Sequence, residues 1–147
     1  MSRLFKFFRS KKPTDQSEEI FDTVEMATAV LLIEMARADF HQDEYEDKKI
    51  TELLEVHFSI SHADAQSLFE EGKKKADDAV SLHEFTRALH TKLTQIEKEK
   101  VIGMLWELAM VDQELDKYED YLVRKIADLL YVSNTVVLRI RHEVTAK

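Results

Sequence analysis

Apolar residues return at spacings of three and four along most of the chain, the signature of helices that bury one face. Ile20, Phe21, Val24, Ala27, Val30, Leu31, Met35 and Ala38 predict a first helix over about 18–39. A second follows over about 44–58. Ser61-His62-Ala63-Asp64 has the spacing of a helix start, and Ala65, Leu68, Phe69 and Gly72 give the third helix a modest apolar face. Residues 73–78 read as its solvated end and the central connection. Ser81-Leu82-His83-Glu84 is a fuller capping box for a fourth helix, with Leu82, Phe85, Leu89 and Leu93 as its stripe. Thr94-Gln95-Ile96-Glu97 opens a fifth, which runs to about 111 through Ile102, Leu105, Trp106, Leu108 and Ala109. A sixth is expected over about 117–131, and a seventh over about 134–144 that buries Val137, Ile140 and Val144. The fold class expected is all-α, a single seven-helix bundle.

The pattern also repeats. Laying Leu31–Asp47 over Met104–Asp120, an offset of 73, gives seven identities in 17 positions: Glu34/Glu107, Ala36/Ala109, Asp39/Asp112, Asp43/Asp116, Tyr45/Tyr118, Glu46/Glu119 and Asp47/Asp120. Ile50, Leu53 and Val56 then meet Val123, Ile126 and Leu129. One deleted residue later, Ile60-Ser61 meets Val132-Ser133. The bundle is therefore expected to consist of two duplicated three-helix units, about 18–75 and 95–145, joined by a central helix. These form one domain over 17–147, preceded by an arm and linker over 1–16.

Composition narrows the class. Two glycines and one proline, Pro13, leave almost no material for hairpin turns. The absence of cysteine removes disulfides, thiolate zinc sites, iron–sulfur clusters and cysteine nucleophiles together, and fits a reducing compartment. No apolar run approaches the roughly 20 residues of a membrane span, and 1–8 is too short and charge-broken for a secretory signal.

Net charge is −8, unevenly spread. Arg3, Lys6, Arg9, Lys11 and Lys12 put +5 on the first twelve residues, which leaves −13 on the rest. So acidic a body repels phosphate backbones and argues against nucleic acid as partner. Wound as a helix, the arm would place Leu4, Phe5 and Phe8 on one face. With Arg3, Lys6, Arg9, Lys11 and Lys12 this is the pattern of a segment that contacts an anionic membrane surface. A frayed arm, or one folded back on the acidic body, is the competing reading.

The repeated turns carry the candidate chemistry. Asp43-Glu44-Tyr45-Glu46 and Asp116-Lys117-Tyr118-Glu119 have N-cap spacing, with the Asp accepting backbone N–H bonds and the Glu reaching back. Asp39 and Asp112 fall near helix C-termini, where negative charge is disfavoured, so backbone donors, a cation or a basic partner must compensate. Asp112-Gln113-Glu114-Leu115-Asp116 offers oxygens at positions 1, 3 and 5 of a calcium loop. Position 6 is Lys117 and position 12 is Val123, which excludes an EF-hand. Two readings remain: the repeated aspartates serve the fold alone, through backbone N–H groups of the turns, or they form a weak divalent-cation site for Ca²⁺ or Mg²⁺ drawn from Asp39, Asp43, Asp112, Glu114 and Asp116.

At Glu34-Met35-Ala36-Arg37-Ala38-Asp39 with Asp43-Glu44-Tyr45-Glu46, and at Glu107-Leu108-Ala109-Met110-Val111-Asp112 with Asp116-Lys117-Tyr118-Glu119, the chain resembles the TerB family. This is a tellurite-resistance-associated helical domain that also forms the N-terminal domain of the co-chaperone DjlA. The resemblance covers about 18–144. It implies a compact helical bundle, a link to metal or envelope stress and a cation-binding role for the acidic turns. It implies no catalysis.

Other chemistry is absent or incomplete. His83-Glu84-Phe85-Thr86-Arg87 has Arg87 where a zincin needs its second histidine, and the six histidines show no other ligand spacing. No Gly-rich phosphate loop or Ser-His-Asp pattern is recognisable. Trp106, Tyr45 and Tyr118 read as core packing. Asp43 and Glu46 would suit an acid and a base, but two caps account for them. The function expected is a non-enzymatic adaptor or sensor, cytoplasmic and peripheral to the inner membrane, with a protein partner. The alternative is a hydrolase-like enzyme that uses a divalent cation at the acidic turns.

Overall fold

The computed structural model describes residues 22–38, 44–111 and 117–146, without the side chains of 44 and 45. The arm and the linker, 1–16, lie outside it. Seven helices are described: α1 (Thr23–Arg37), α2 (Glu44–Phe58), α3 (His62–Asp78), α4 (His83–Lys92), α5 (Gln95–Ala109), α6 (Lys117–Leu129) and α7 (Asn134–Thr145). There is no strand among the described residues. The class is all-α.

Helix starts follow local chemistry. Asp22 caps α1 by accepting from the Glu25 N–H at 2.9 Å, and Ser61 caps α3 by accepting from Asp64 N–H at 3.0 Å. Thr94 and Glu97 form the reciprocal box at α5, with Glu97 Oε1 accepting from Thr94 N–H at 2.8 Å. The box expected at Ser81 is not formed. Leu82 already has near-helical dihedrals (φ −80°, ψ −9°), so the helix starts without a side-chain cap and Ser81 Oγ accepts from His83 N–H, only two residues on, at 3.2 Å.

Two helices form the centre. From Val24 to Ala36 every residue of α1 except Met26 and Glu34 is buried. α1 packs against α2, α3, α4, α5 and α6, while α5 packs against α1, α2, α6 and α7. The outer helices bury single stripes, such as Ile50, Leu53, Leu54 and Phe58 on α2 and Val123, Ile126 and Ala127 on α6. Val56, aligned above with the apolar positions of α2, is exposed instead, because Leu54 and Phe58 take the inward register. Residues 73–78 are not wholly solvated: Ala76 is buried, so the α3 stripe extends one turn further than its apolar spacing suggested. Gly72 lets that helix approach α1, since a Cβ there would stand 2.9 Å from Ile33 Cδ1 and 3.4 Å from Ala29 Cβ.

The ends of α2 and α6 match in detail. Ser59 (φ 55°) and Tyr131 (φ 62°) both adopt the left-handed conformation, 72 residues apart. Each is followed by an N–H that reaches back five residues, Ile60 to Glu55 O at 3.3 Å and Val132 to Ala127 O at 2.8 Å. This is the Schellman closure of a helix C-terminus. Ser61 and Ser133 then cap the next helices.

Candidate functional site

The sequence points to the helix ends that flank the acidic turns. Asp39, Asp43, Asp112, Glu114 and Asp116 lie outside the described residues, as do the membrane-contact candidates Arg3, Leu4, Phe5, Lys6, Phe8, Arg9, Lys11 and Lys12. Among the described residues no group of three or more His, Asp or Glu side chains is placed to hold a metal. What the structure places is the frame around the turns.

On the outgoing side, α1 ends with Ala38 N–H donating to Glu34 O (3.0 Å) and Met35 O (3.2 Å), and α5 ends with Met110 N–H donating to Trp106 O at 3.0 Å. Glu34 stands in the last turn of α1. Burial pushes its carboxyl above the usual carboxylate range; Arg37 pulls it down and Asp77 pushes it up again. Arg37 lies 3.9 Å from Glu34 and 2.9 Å from Asp77, which ties the end of α1 to the end of α3. At the matching position of α5, Glu107 pairs with Lys49 of α2 at 4.0 Å. That pair sets the exit of α5 beside the early turns of α2, so helix ends bordering both acidic turns lie on one side of the bundle.

On the incoming side, Glu46 and Glu119 are the third residues of α2 and α6, and only 3% and 1% exposed. Glu97, the capping glutamate at the third position of α5, is buried in the same way, at 6%. Asp120, next to Glu119, accepts from Arg124 Nε at 2.9 Å and lies 3.9 Å from Arg141 Nη1. The frame is thus rich in carboxylates, two of them withdrawn from solvent, with Arg37, Lys49, Arg124 and Arg141 balancing part of the charge.

Glu34 supplies a pH test. Its folded state favours the protonated form, so its contribution to stability is full below the unfolded carboxylate range and is lost as pH rises through the elevated folded value. Glu34→Gln is therefore expected to raise the melting temperature at pH 7 and to lose that gain as pH falls below about 4. A gain independent of pH would mean that the charge is not what costs stability.

Some expectations need correction. Tyr118, read as core, is 59% exposed, because the buried stripe of α6 runs through Glu119, Val123, Ile126 and Ala127 and turns Tyr118 outward. Tyr45 has no described side chain. Trp106 is fully buried, with Nε1–H donating to Val137 O at 3.1 Å. Sequence reasoning missed Lys98, buried on α5 with Nζ 2.6 Å from His90 Nδ1. The available signal was its register, four residues before Ile102 on the apolar stripe.

An all-α bundle with two carboxylate-framed helix connections defines a helical module rather than a recognisable catalytic fold. The family described as Tellurite resistance protein TerB matches residues 25–142, most of the chain, and the chain belongs to that family. The family is generally non-enzymatic. Neither the curated proteins nor the solved structures yield a match. No helix among the described residues is long and apolar enough to cross a membrane.

Proposed function

We propose that this TerB-family chain is a non-enzymatic binding module, an adaptor or sensor in a metal or envelope stress response, whose acidic turns are its recognition face. The observation that carries the reading is the burial of Glu46 and Glu119, 73 residues apart and each in the first turn of the helix after an acidic turn. Each acidic turn thus leads into a helix whose third residue is a buried carboxylate, and this likeness is what makes the two turns one kind of element. The same reading takes 18–75 and 95–145 as duplicated units. The paired left-handed residues Ser59 and Tyr131 and the paired serine caps support it. The basic arm holds the module at an anionic membrane surface on the cytoplasmic side, with the acidic body turned away toward a protein partner.

Thermal melting of the full chain with calcium, magnesium or manganese tests the recognition face. An ion bound only by the folded state stabilises it by about 2.7 kcal/mol at a hundred times its dissociation constant. The expected result is a saturable rise in melting temperature that Asp112→Asn removes. If Asp39 and Asp112 serve the fold alone, ions change nothing and Asp112→Ala costs about 1–3 kcal/mol in their presence or absence. That outcome would reject ion recognition. Sedimentation of the same preparations with anionic vesicles, at low and high salt, tests the arm; a chain beginning at residue 14 should stay in solution.

A further inference from the structure

We propose that the outer face of α6 is an interface at which two copies of this chain pair about a two-fold axis, with their α6 helices antiparallel. The inference goes beyond the reading above and does not rest on it. Helical spacing sets three rows on this face. Tyr121 and Lys125 run along its middle, Tyr118 and Leu129 along one border, and Lys117 and Asp128 along the other. Tyr121 is 62% exposed and Tyr118 59%; Lys117, Lys125 and Asp128 are exposed too, and Leu129 is half-buried. Tyrosines at the surface of a helix are the residues that protein interfaces favour.

The matching helix shows that the bundle does not require such a face. At the offset of 73, α2 carries Lys48 in place of Tyr121, Lys49 in place of Leu122 and Glu52 in place of Lys125. Lys48 and Glu52 are exposed, an ordinary solvated row, and the charges beside them are engaged within the chain: Lys49 lies 4.0 Å from Glu107, and Glu55 lies 2.7 Å from His62 Nδ1. The border charges of α6 also sit where its own dipole disfavours them, Lys117 as its first residue and Asp128 in its last turn. An antiparallel second copy offsets both, because it sets the C-terminal end of one α6 beside the N-terminal end of the other.

The spacing is that of a surface complementary to itself. A two-fold axis brings each border against the same border of the other copy. With the axis level with Val123, Tyr121 meets Lys125 of the second copy as a cation–π pair, Tyr118 meets its Leu129, and Lys117 meets its Asp128. Each contact is made twice. One register serves all of them to within a residue, since both border pairs are separated by about three helical turns. Other occupants fit worse. The arm would add its +5 to a face that already carries Lys117 and Lys125, and an anionic membrane would meet Asp128 and a body of −13. A helix pair about 20 Å long falls at the small end of specific interfaces, below about 1,200 Å² in total, so the dimer is weak and depends on protein concentration.

The test is sedimentation equilibrium of the full chain from micromolar to millimolar concentration in moderate salt, where a reversible monomer–dimer equilibrium is expected. Tyr121→Lys, which installs the residue type that α2 carries, should weaken the dimer about tenfold. Lys117→Asp and Asp128→Lys each set like charges together at both symmetric contacts and should each weaken it about five- to tenfold. Both also suit the dipole of α6, so neither should lower the melting temperature. Mixing these two variants should restore pairing, because each supplies the charge that the other lacks. A parent chain that stays monomeric at millimolar concentration, a dimer that survives all three substitutions, or charge variants that fail to pair on mixing would each overturn the interface.

Discussion

Trp106→Ala is expected to lower stability by about 4 kcal/mol, within the range of large aromatic truncations in well-packed cores. For a chain of this size that is roughly 10–15 °C in melting temperature. The indole is fully buried at the crossing of α5 and α7, donates from Nε1 to Val137 O at 3.1 Å, and lies under Arg141, whose guanidinium carbon is 5.5 Å from the ring centroid. Three effects therefore leave together: apolar burial, a hydrogen bond worth about 1 kcal/mol, and a cation–π contact worth about 0.5–1 kcal/mol. Trp106→Phe separates them, since it keeps most of the volume and loses the donor, and should cost about 1–2 kcal/mol. Urea denaturation of the three proteins measures both differences. A loss under 2 kcal/mol for the alanine variant would mean that α7 collapses onto the gap, and that the central pair α1 and α5 holds the fold without it.

The centre of the bundle was legible because its signal is redundant. Apolar residues at three- and four-residue spacing, the Thr94–Glu97 box and the cap at Ser61 all say helix, and the structure forms each; of the expected starts among the described residues only the Ser81 box fails. Errors cluster where one residue can serve two registers. Val56 and Leu54 both suit an inward face of α2, and packing chose Leu54 and Phe58. Tyr118 lies one residue before the buried Glu119, so the short stripe of α6 left a single position to decide between them, and the glutamate went in. A carboxylate in the core beside a tyrosine at the surface reverses ordinary preference. The candidate site was legible as a pattern and not as a shape: the repeat located both acidic turns, while the ligands themselves depend on loop positions outside the described residues. Lys98 was passed over for another reason. A lysine between two glutamates reads as part of a solvated face; its register four residues before Ile102 was the one signal against that, and the fold buries it beside His90.

The two glycines should respond in opposite directions to the same substitution, because one faces a neighbouring helix at close range and the other does not. Both lie inside helices, where Ala is preferred over Gly by about 0.8–1 kcal/mol. At Gly103 an added Cβ meets only Ile140 Cγ2, at 3.7 Å, an ordinary contact. Gly103→Ala should therefore stabilise by about 0.5–1 kcal/mol. At Gly72 the added Cβ would fall 2.9 Å from Ile33 Cδ1 and 3.4 Å from Ala29 Cβ, with both neighbours buried on α1. The Ile33 methyl can move only by disturbing a side chain packed in the core, and Ala29 cannot give way at all without its backbone. Gly72→Ala should cancel its helical gain and lose up to about 1 kcal/mol net, and Gly72→Leu, which must push α3 off α1, should cost about 3 kcal/mol. Chemical denaturation of Gly72→Ala, Gly72→Leu and Gly103→Ala measures the set. A Gly72→Leu protein as stable as the parent would show that α3 does not seat on Ala29 and Ile33, and the α1–α3 packing described above would then be wrong.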